Sequence, residues 1–406
     1  MKKAMLARQP IFDIQGKTHA YELLYRGESM DIDGDTMTAT VLSNTFNRFG
    51  VESMTQGKPI FINITKDFLL SDLIDLLPPE TTVLEVLEDV PADEEVIAAI
   101  QHWQEKGFTV ALDDFISITS DHMKLLPFAD IVKVDIMDCS EPLDVIVQEV
   151  RKFPIKLLAE KVETYEEYEL CKKLGFDYYQ GYFFSKPTII FDSQALDTNK
   201  AQLLQLLSNV LEADSPKDLE TDIAHDLTLS YKLLCYINSA SVGLKQKINS
   251  IGHALTLLGL KKLRAWVSMM LMSSLSSGKP DALLALSFSR GRFLEQLAVL
   301  LDPDDPHTSD YFILGMFSLL DAFLDQDIEQ AIESVSLPKI VYEGLLNKGS
   351  KAGRNLHLIQ ALEQGDWGQT EDLCHALGIG NEQMMSVYEE AIQWSDERVA
   401  TILSLA

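Results

Sequence analysis

Cysteine is scarce: Cys139, Cys171, Cys235 and Cys374 are the four in 406 residues, far apart and with no CxxC pair. That argues against a disulfide framework or a zinc knuckle and makes the reducing cytoplasm the expected location. Long apolar runs are missing too. The opening MKKAMLARQPIFDIQGK has two lysines but no apolar stretch of signal-peptide length, and the most apolar later stretch, Trp266 to Leu275, is short and interrupted by serines. No membrane crossing is expected. Positive charge is in deficit, with 34 Lys and Arg against 62 Asp and Glu, a formal net charge of −28. Without a local basic patch, that balance argues against nucleic-acid polymers as partners. There is no GxGxxG or Walker A loop, no internal repeat of fixed period and no low-complexity tract, so neither a dinucleotide fold nor a solenoid is indicated.

What remains is ordinary globular material, 46% hydrophobic and 24% charged, long enough for two or three domains with cores of their own. From residue 1 to about 190, short β-branched runs alternate with amphipathic stretches. The candidate strands are MLARQPIF, THAYELLY, PIFINIT, TVLEVLE, FTVALDD, IVKVDIM, IKLLAE and DYYQGYFF. Between them TMTATVLSNTFNRFG, ADEEVIAAIQHWQEKG and TYEEYELCKKLG show helical spacing and end in glycine, as helix C-termini do. About eight strands with intervening helices predict a (β/α) barrel of the TIM type, with a doubly wound sheet as the alternative. TIIFDSQALDTNK reads as a connector, and from about residue 201 the apolar spacing is i, i+3, i+4 almost throughout. The expected division is a barrel over 1–190, a connector over 191–200 and a helical domain over 201–406.

The chemistry follows from where polar residues meet the strands. Glu22 ends one candidate strand, Asn63 another, Glu85 and Glu88 a third, Asp113 and Asp114 a fourth, Lys133 and Asp135 a fifth, Glu160 a sixth and Gln180 a late one. In a parallel barrel the strand C-termini open on one face, so these residues are expected to converge in one bowl. Carboxylates with an amide oxygen, and no His or Cys among them, suit Mg²⁺ or Mn²⁺. Two such ions would clamp a phosphodiester and activate water. In that picture Glu22, Asn63, Glu85 and Asp113 hold one ion, Asp114 helps with the second and Glu160 orients ligands between them. Lys133 positions the attacking water, and Gln180 assists on the far side.

The series YELLYR, FINIT, LEVLE, LDDF, VKVD, AEKVE and QGYFFSKP resembles the successive motifs of EAL domains. Those are (β/α) barrels that hydrolyse cyclic di-GMP to linear pGpG with Mg²⁺ or Mn²⁺. LLCYINSASVGLKQKINSIGHALTLLGLKKLRAWV is similar to the HDOD domain, a helical relative of HD phosphohydrolases that lacks their metal ligands. Together they look like bacterial EAL–HDOD signalling proteins of the YuxH-like type. The resemblance implies metal ligands at Glu22, Asn63, Glu85, Asp113, Asp114 and Glu160, a water-associated Lys133 and a late Gln180. It puts Arg26 against ligand phosphate and Asp135, Glu88 and Glu163 in supporting positions. It further implies a cyclic di-GMP ligand, protein partners for the helical half, no metal there, and a barrel able to pair as a homodimer.

Three positions depart from that pattern. Leu23 stands where the signature tripeptide has alanine, Ile116 replaces the glycine after LDDF, and Lys161 replaces a glycine within AEKVE. A β-branched residue is poorly suited to backbone conformations that glycine allows. These departures favour a partly degenerate barrel that keeps its metal-binding bowl and signals through the helical half. The alternative is an active phosphodiesterase regulated by that half.

In the helical half His225-Asp226 is an isolated HD dipeptide, read here as residues at a helix start. His253 reads as a hydrogen-bonded helix residue and Asn238-Ser239 as a helix terminator. Met269, Met270 and Met272 beside Trp266 read as core.

Overall fold

The computed structural model describes residues 5–26, 55–118, 121–186, 198–238, 247–248, 250–333 and 335–403. The helix expected over TMTATVLSNTFNRFG, most of the connector and Ser239 lie outside them.

All eight candidate strands form: β1 Met5–Asp13, β2 Thr18–Arg26, β3 Ile60–Ile64, β4 Thr82–Val86, β5 Thr109–Leu112, β6 Ile131–Asp135, β7 Lys156–Glu160 and β8 Tyr178–Gln180. They close in sequence order into a barrel. The pairs from β2 to β8 are parallel, but β1 runs antiparallel to both β2 and β8. This corrects the expectation of a wholly parallel barrel, and the cause is local. Only four residues, 14–17, join β1 to β2, which is hairpin length, whereas a parallel neighbour needs a crossover of a dozen residues or more. Asp13 caps that turn, accepting the Gln15 and Lys17 amides at 2.9 Å, and Gly16 takes φ 74°.

The helices end as their sequences require. Asp93 accepts the Val96 amide at 2.9 Å to start Glu94–Glu105. Thr164 and Glu167 form a reciprocal capping box on Tyr165–Leu174, which Gly175 closes at φ 87°, a left-handed position that favours glycine.

One apolar residue per strand builds the barrel's inner layer: Ile11, Ala20, Phe61, Val83, Ala111, Ile131, Leu158 and Tyr178. Burying such a ring stabilises the barrel through the hydrophobic effect. It also sets the register of everything above it, because residues two apart on a strand share a face.

The chain divides into two compact units. The first comprises Met1–Lys186 with Pro280–Ala282 and Gln360–Glu389, the second Pro187–Lys279, Leu283–Ile359 and Glu390–Ala406. Thus the barrel's own unit includes a late helical segment. Within it the Glu363 carbonyl accepts the Tyr182 hydroxyl at 2.9 Å and Gln9 Nε2 at 3.3 Å. Arg26 Nε lies 3.9 Å from Glu371 Oε1.

The second unit is helical. Asp226 accepts the Leu229 amide at 2.9 Å and so begins Leu227–Ile237, while His225 ends the helix before it. Asn238 ties the end of that helix to Ile248, donating to the Leu234 and Ile248 carbonyls at 2.8 Å each and accepting the Ile248 amide at 2.7 Å. Ser250 caps the following helix at the His253 amide, and Gly259 (φ 70°) kinks it. Trp266, Met269, Met270 and Met272 are buried. Among the described residues no helix is long and apolar enough to cross a membrane.

Candidate active site

The inner apolar ring determines the site. Two positions further along each parallel strand, Ala20 leads to Glu22, Phe61 to Asn63, Val83 to Glu85, Ala111 to Asp113, Ile131 to Lys133, Leu158 to Glu160 and Tyr178 to Gln180. Strand periodicity therefore lifts seven polar residues from seven segments into one layer at the strand ends. On the reversed strand the same step runs backwards, from Ile11 to Gln9. Gln9 does join the layer: Gln180 Nε2 donates to Gln9 Oε1 at 3.2 Å and to Glu22 Oε2 at 2.6 Å. The sequence reading missed Gln9 because it assumed parallel strands; the short hairpin loop after FD was the available signal.

Lys133 stands at the centre, 1% exposed. Its ammonium donates to Glu85, to Asp113 Oδ1 at 3.0 Å and to Glu22 Oε2 at 3.3 Å, and pairs with Glu160 Oε1 at 2.8 Å. Four carboxyl groups thus crowd around a single ammonium. Burial works against the lysine's charge, but Glu160, Glu22, Glu85 and Asp113 outweigh it and hold the group well above its ordinary value. Burial pushes Glu85 well up despite Lys133, and pushes Glu160 up to about 8. For Asp113 burial acts upward too, yet Lys133 and neighbouring hydrogen bonds keep it below the ordinary carboxylate value.

The layer also holds buried acceptors that nothing satisfies: Asn63 Oδ1, Glu85 Oε2, Glu160 Oε2 and Gln180 Oε1. An orphaned buried acceptor costs about 1–3 kcal/mol, so several in one layer fit a cation-binding purpose. Among the described residues two groups of acids are close enough to share an ion, Glu22 with Glu85 and Glu160, and Glu88 with Asp113 and Asp114. All oxygen donors, with an amide among them, suit a hard divalent ion such as Mg²⁺ or Mn²⁺.

The remaining expected residues are placed as follows. Asp135, 1% exposed, accepts the Met137 and Asp138 amides on Oδ1 at 2.9 and 3.2 Å and pairs with Lys161. Arg26 ends β2 and pairs with Glu371. Glu88 belongs to the second acidic group. Glu163 is exposed, bonded to Lys186 at 2.7 Å. His122 is a buried residue the sequence reading passed over; its Nε2 has no partner, and burial keeps the ring below its ordinary value even though Glu88 and Asp113 lie near.

Comparison with known proteins agrees with this arrangement. The EAL domain family matches residues 3–187 and the HDOD domain family residues 200–324. The uncharacterized protein YuxH of Bacillus subtilis is 34% identical over 409 residues, covering 97% of this chain and 98% of that one. The chain belongs to the EAL–HDOD family. It is likewise 34% identical to the cyclic di-GMP phosphodiesterase CdgJ of Vibrio cholerae, over 98% of this chain and 93% of that one. Among solved structures, Klebsiella pneumoniae BlrP1 in a calcium and cyclic di-GMP complex is similar at 23% identity and a TM-score of 0.38, covering 46% of this chain and 56% of that chain.

The three departures from the EAL pattern differ in their physical effect. Leu23 is buried at 4% exposure and points away from the polar layer, since it alternates with Glu22. Ile116 keeps an ordinary negative φ: the left-handed non-glycine residues are Gln56, Asp114, Lys161 and Asp325. A β-branched side chain is therefore unstrained there. Lys161 is different. It sits at φ 54° because its neighbours are fixed: Glu160 ends β7, the Val162 amide bonds the Gln180 carbonyl at 3.0 Å, and the Phe183 amide bonds the Val162 carbonyl at 3.1 Å. Left-handed backbone costs a non-glycine residue about 1–2 kcal/mol.

Proposed function

We propose that this EAL–HDOD protein is a divalent-metal-dependent phosphodiesterase that opens cyclic di-GMP to linear pGpG. The observation that carries this is the polar layer, four carboxyl groups around one ammonium and a set of orphaned buried acceptors gathered at one mouth of a closed barrel. Further support comes from a relative of 34% identity, matched over nearly its whole length, that is named a cyclic di-GMP phosphodiesterase. Glu22, Asn63, Glu85, Asp113 and Glu160 would hold Mg²⁺ or Mn²⁺. A bound divalent ion supplies Lewis-acid polarisation of a phosphoryl oxygen and a water acidic enough to serve as hydroxide near neutral pH.

The chain's own residues do the rest. Lys133, kept protonated, donates hydrogen bonds; it fixes its carboxylates and orients water, and it is no general base. Gln180, itself bonded to Gln9, holds Glu22 from the far side. Arg26, at the rim, offers a guanidinium to ligand phosphate. The ordinary backbone at Ile116 and the packing of Leu23 away from the polar layer support turnover over the receptor reading. The HDOD half, with no acid, His or Cys group of metal-binding spacing among its described residues, fits a regulatory role through protein contacts.

The test is incubation of purified protein with cyclic di-GMP and excess Mn²⁺, resolving products while binding is measured by calorimetry. Accumulation of pGpG, lost in Glu22→Ala and Lys133→Ala, is expected. Tight binding without product would overturn the enzyme in favour of a receptor.

A further inference from the structure

We propose that Lys161 takes the place of a second divalent ion in the barrel mouth, so that this chain binds one such ion tightly where its acids alone would accept two. The inference rests on reading the mouth as a metal-dependent phosphodiesterase site and specifies its metal requirement.

Two acidic groups share the mouth, one buried (Glu22, Glu85, Glu160) and one nearer the surface (Glu88, Asp113, Asp114). The buried group, though paired with Lys133, still holds the partnerless oxygens Glu85 Oε2 and Glu160 Oε2. The outer group has a cation of its own beside it. Lys161 Nζ bonds Asp135 and lies 3.8 Å from Asp114 Oδ1 and 4.0 Å from Asp138 Oδ2. Asp135, with its other oxygen already committed to two backbone amides, anchors the ammonium next to Asp114.

The backbone holds this charge in place. At φ 54° position 161 is one where glycine would be unstrained, and Val162 is clamped at its amide to Gln180 of β8 and at its carbonyl to Phe183 just beyond that strand. The lysine stem is about half exposed while its ammonium is tied down at Asp135. A fixed positive charge about 4 Å from Asp114 opposes any divalent ion on that carboxylate. Even at the high effective dielectric of a half-exposed site, the repulsion weakens such an ion by about tenfold or more. The positive charge that the outer carboxylates call for is thus supplied by the chain.

The test counts ions and needs no substrate. The full-length protein, stripped with chelator, is titrated with MnCl₂ alone, following heat by calorimetry and free Mn²⁺ by electron paramagnetic resonance. Wild type is expected to take one Mn²⁺ per chain, with any second weaker by about tenfold or more. Lys161→Gly and Lys161→Asn, both suited to left-handed backbone, are expected to take two of comparable affinity. Lys161→Arg, which keeps the charge, is expected to take one. Thermal melts of the four proteins establish that each is folded. Two equally tight ions in wild type, one ion in both neutral variants, or no ion in wild type would each overturn the proposal. If the expected counts appear but no pGpG forms with cyclic di-GMP, the phosphodiesterase reading fails and the role of Lys161 stands; if pGpG forms with the wrong counts, the reverse holds.

Discussion

The barrel mouth and the helical unit both bury ionised side chains, and they treat them in opposite ways. In the helical unit Arg290 is buried but donates to Ser318 at 3.1 Å, and burial raises Asp321 to about 6 while the Ala322 amide and the charge of Arg290 hold it down. Among the described residues, the buried atoms left without a partner there, on Ser268, Arg292, Gln296, Tyr311 and Asn355, include no carboxylate oxygen. In the mouth four carboxylates share one ammonium, and four further acceptor atoms are unsatisfied. The difference teaches that acid content does not make a metal site in so acidic a chain. A surplus of acceptors facing one point does, and only strand periodicity on a closed barrel supplies it here.

The largest expected effect breaks the mouth's balance. Lys133→Ala leaves four buried carboxylates facing one another, and removing one partner of a buried ion pair costs about 3–5 kcal/mol. Urea melts of the chelator-treated variant should show a loss of that size, with part of it recovered on adding Mn²⁺, and pGpG formation should fall by about a thousandfold or more. Unchanged metal-free stability would mean that the mouth is no more strained electrostatically than the helical unit.

Next is the barrel wall, one residue away from the mouth. Leu23→Ala restores the family's tripeptide, yet it deletes a buried side chain and should cost about 2–3 kcal/mol in the same melts with kcat within about twofold of wild type. A large gain in kcat would show that Leu23 disturbs the site and would revive the degenerate reading.

The contrast between wall and mouth also explains what could be read from sequence. The eight strands and their seven site residues were legible because one periodic rule, apolar inward and polar two steps on, holds from Ala20–Glu22 to Tyr178–Gln180. Gln9 was hidden by strand direction, which the period of side chains does not encode. Ile116 shows that residue type does not report backbone conformation: its φ is ordinary, while left-handed backbone falls on Asp114 in the same loop and on Lys161. The late segment Gln360–Glu389, which reads as one more amphipathic helical stretch, belongs to the barrel's unit. Tertiary partners of that kind leave no mark in local spacing.

A smaller effect separates the two regions by pH. Asp321 sits at about 6 in the folded chain, above the ordinary 3.8, so between pH about 4 and 6 the folded state keeps a proton that the unfolded chain has released. Stability from this group is therefore full below pH 4 and declines as pH rises through 6, by about 1–2 kcal/mol after allowance for solvent relaxation. Asp321→Asn should flatten that slope in melts from pH 4 to 8. Mn²⁺ should leave the Asp321 slope untouched, since no metal-binding group lies in that unit among the described residues. A slope that responded to Mn²⁺ would merge the two regions electrostatically and undo the comparison.

The smallest effect tests whether the late helical segment does more than pack against the barrel. Arg26 and Glu371 are 3.9 Å apart with side chains 40% exposed on each, a geometry worth at most about 1 kcal/mol in water. If ligand phosphate draws on Arg26, it must outcompete Glu371, so Glu371→Ala should lower KM for cyclic di-GMP by no more than about threefold and leave kcat unchanged. Because the pair is exposed, the difference should vanish at high ionic strength, where the Debye length falls to about 3 Å. A tenfold or greater drop in KM that persists in salt would mean that Trp367–Leu377 holds the rim closed by more than this ion pair. The Glu363 carbonyl, which already accepts Tyr182 and Gln9, would then be the second point at which to cut.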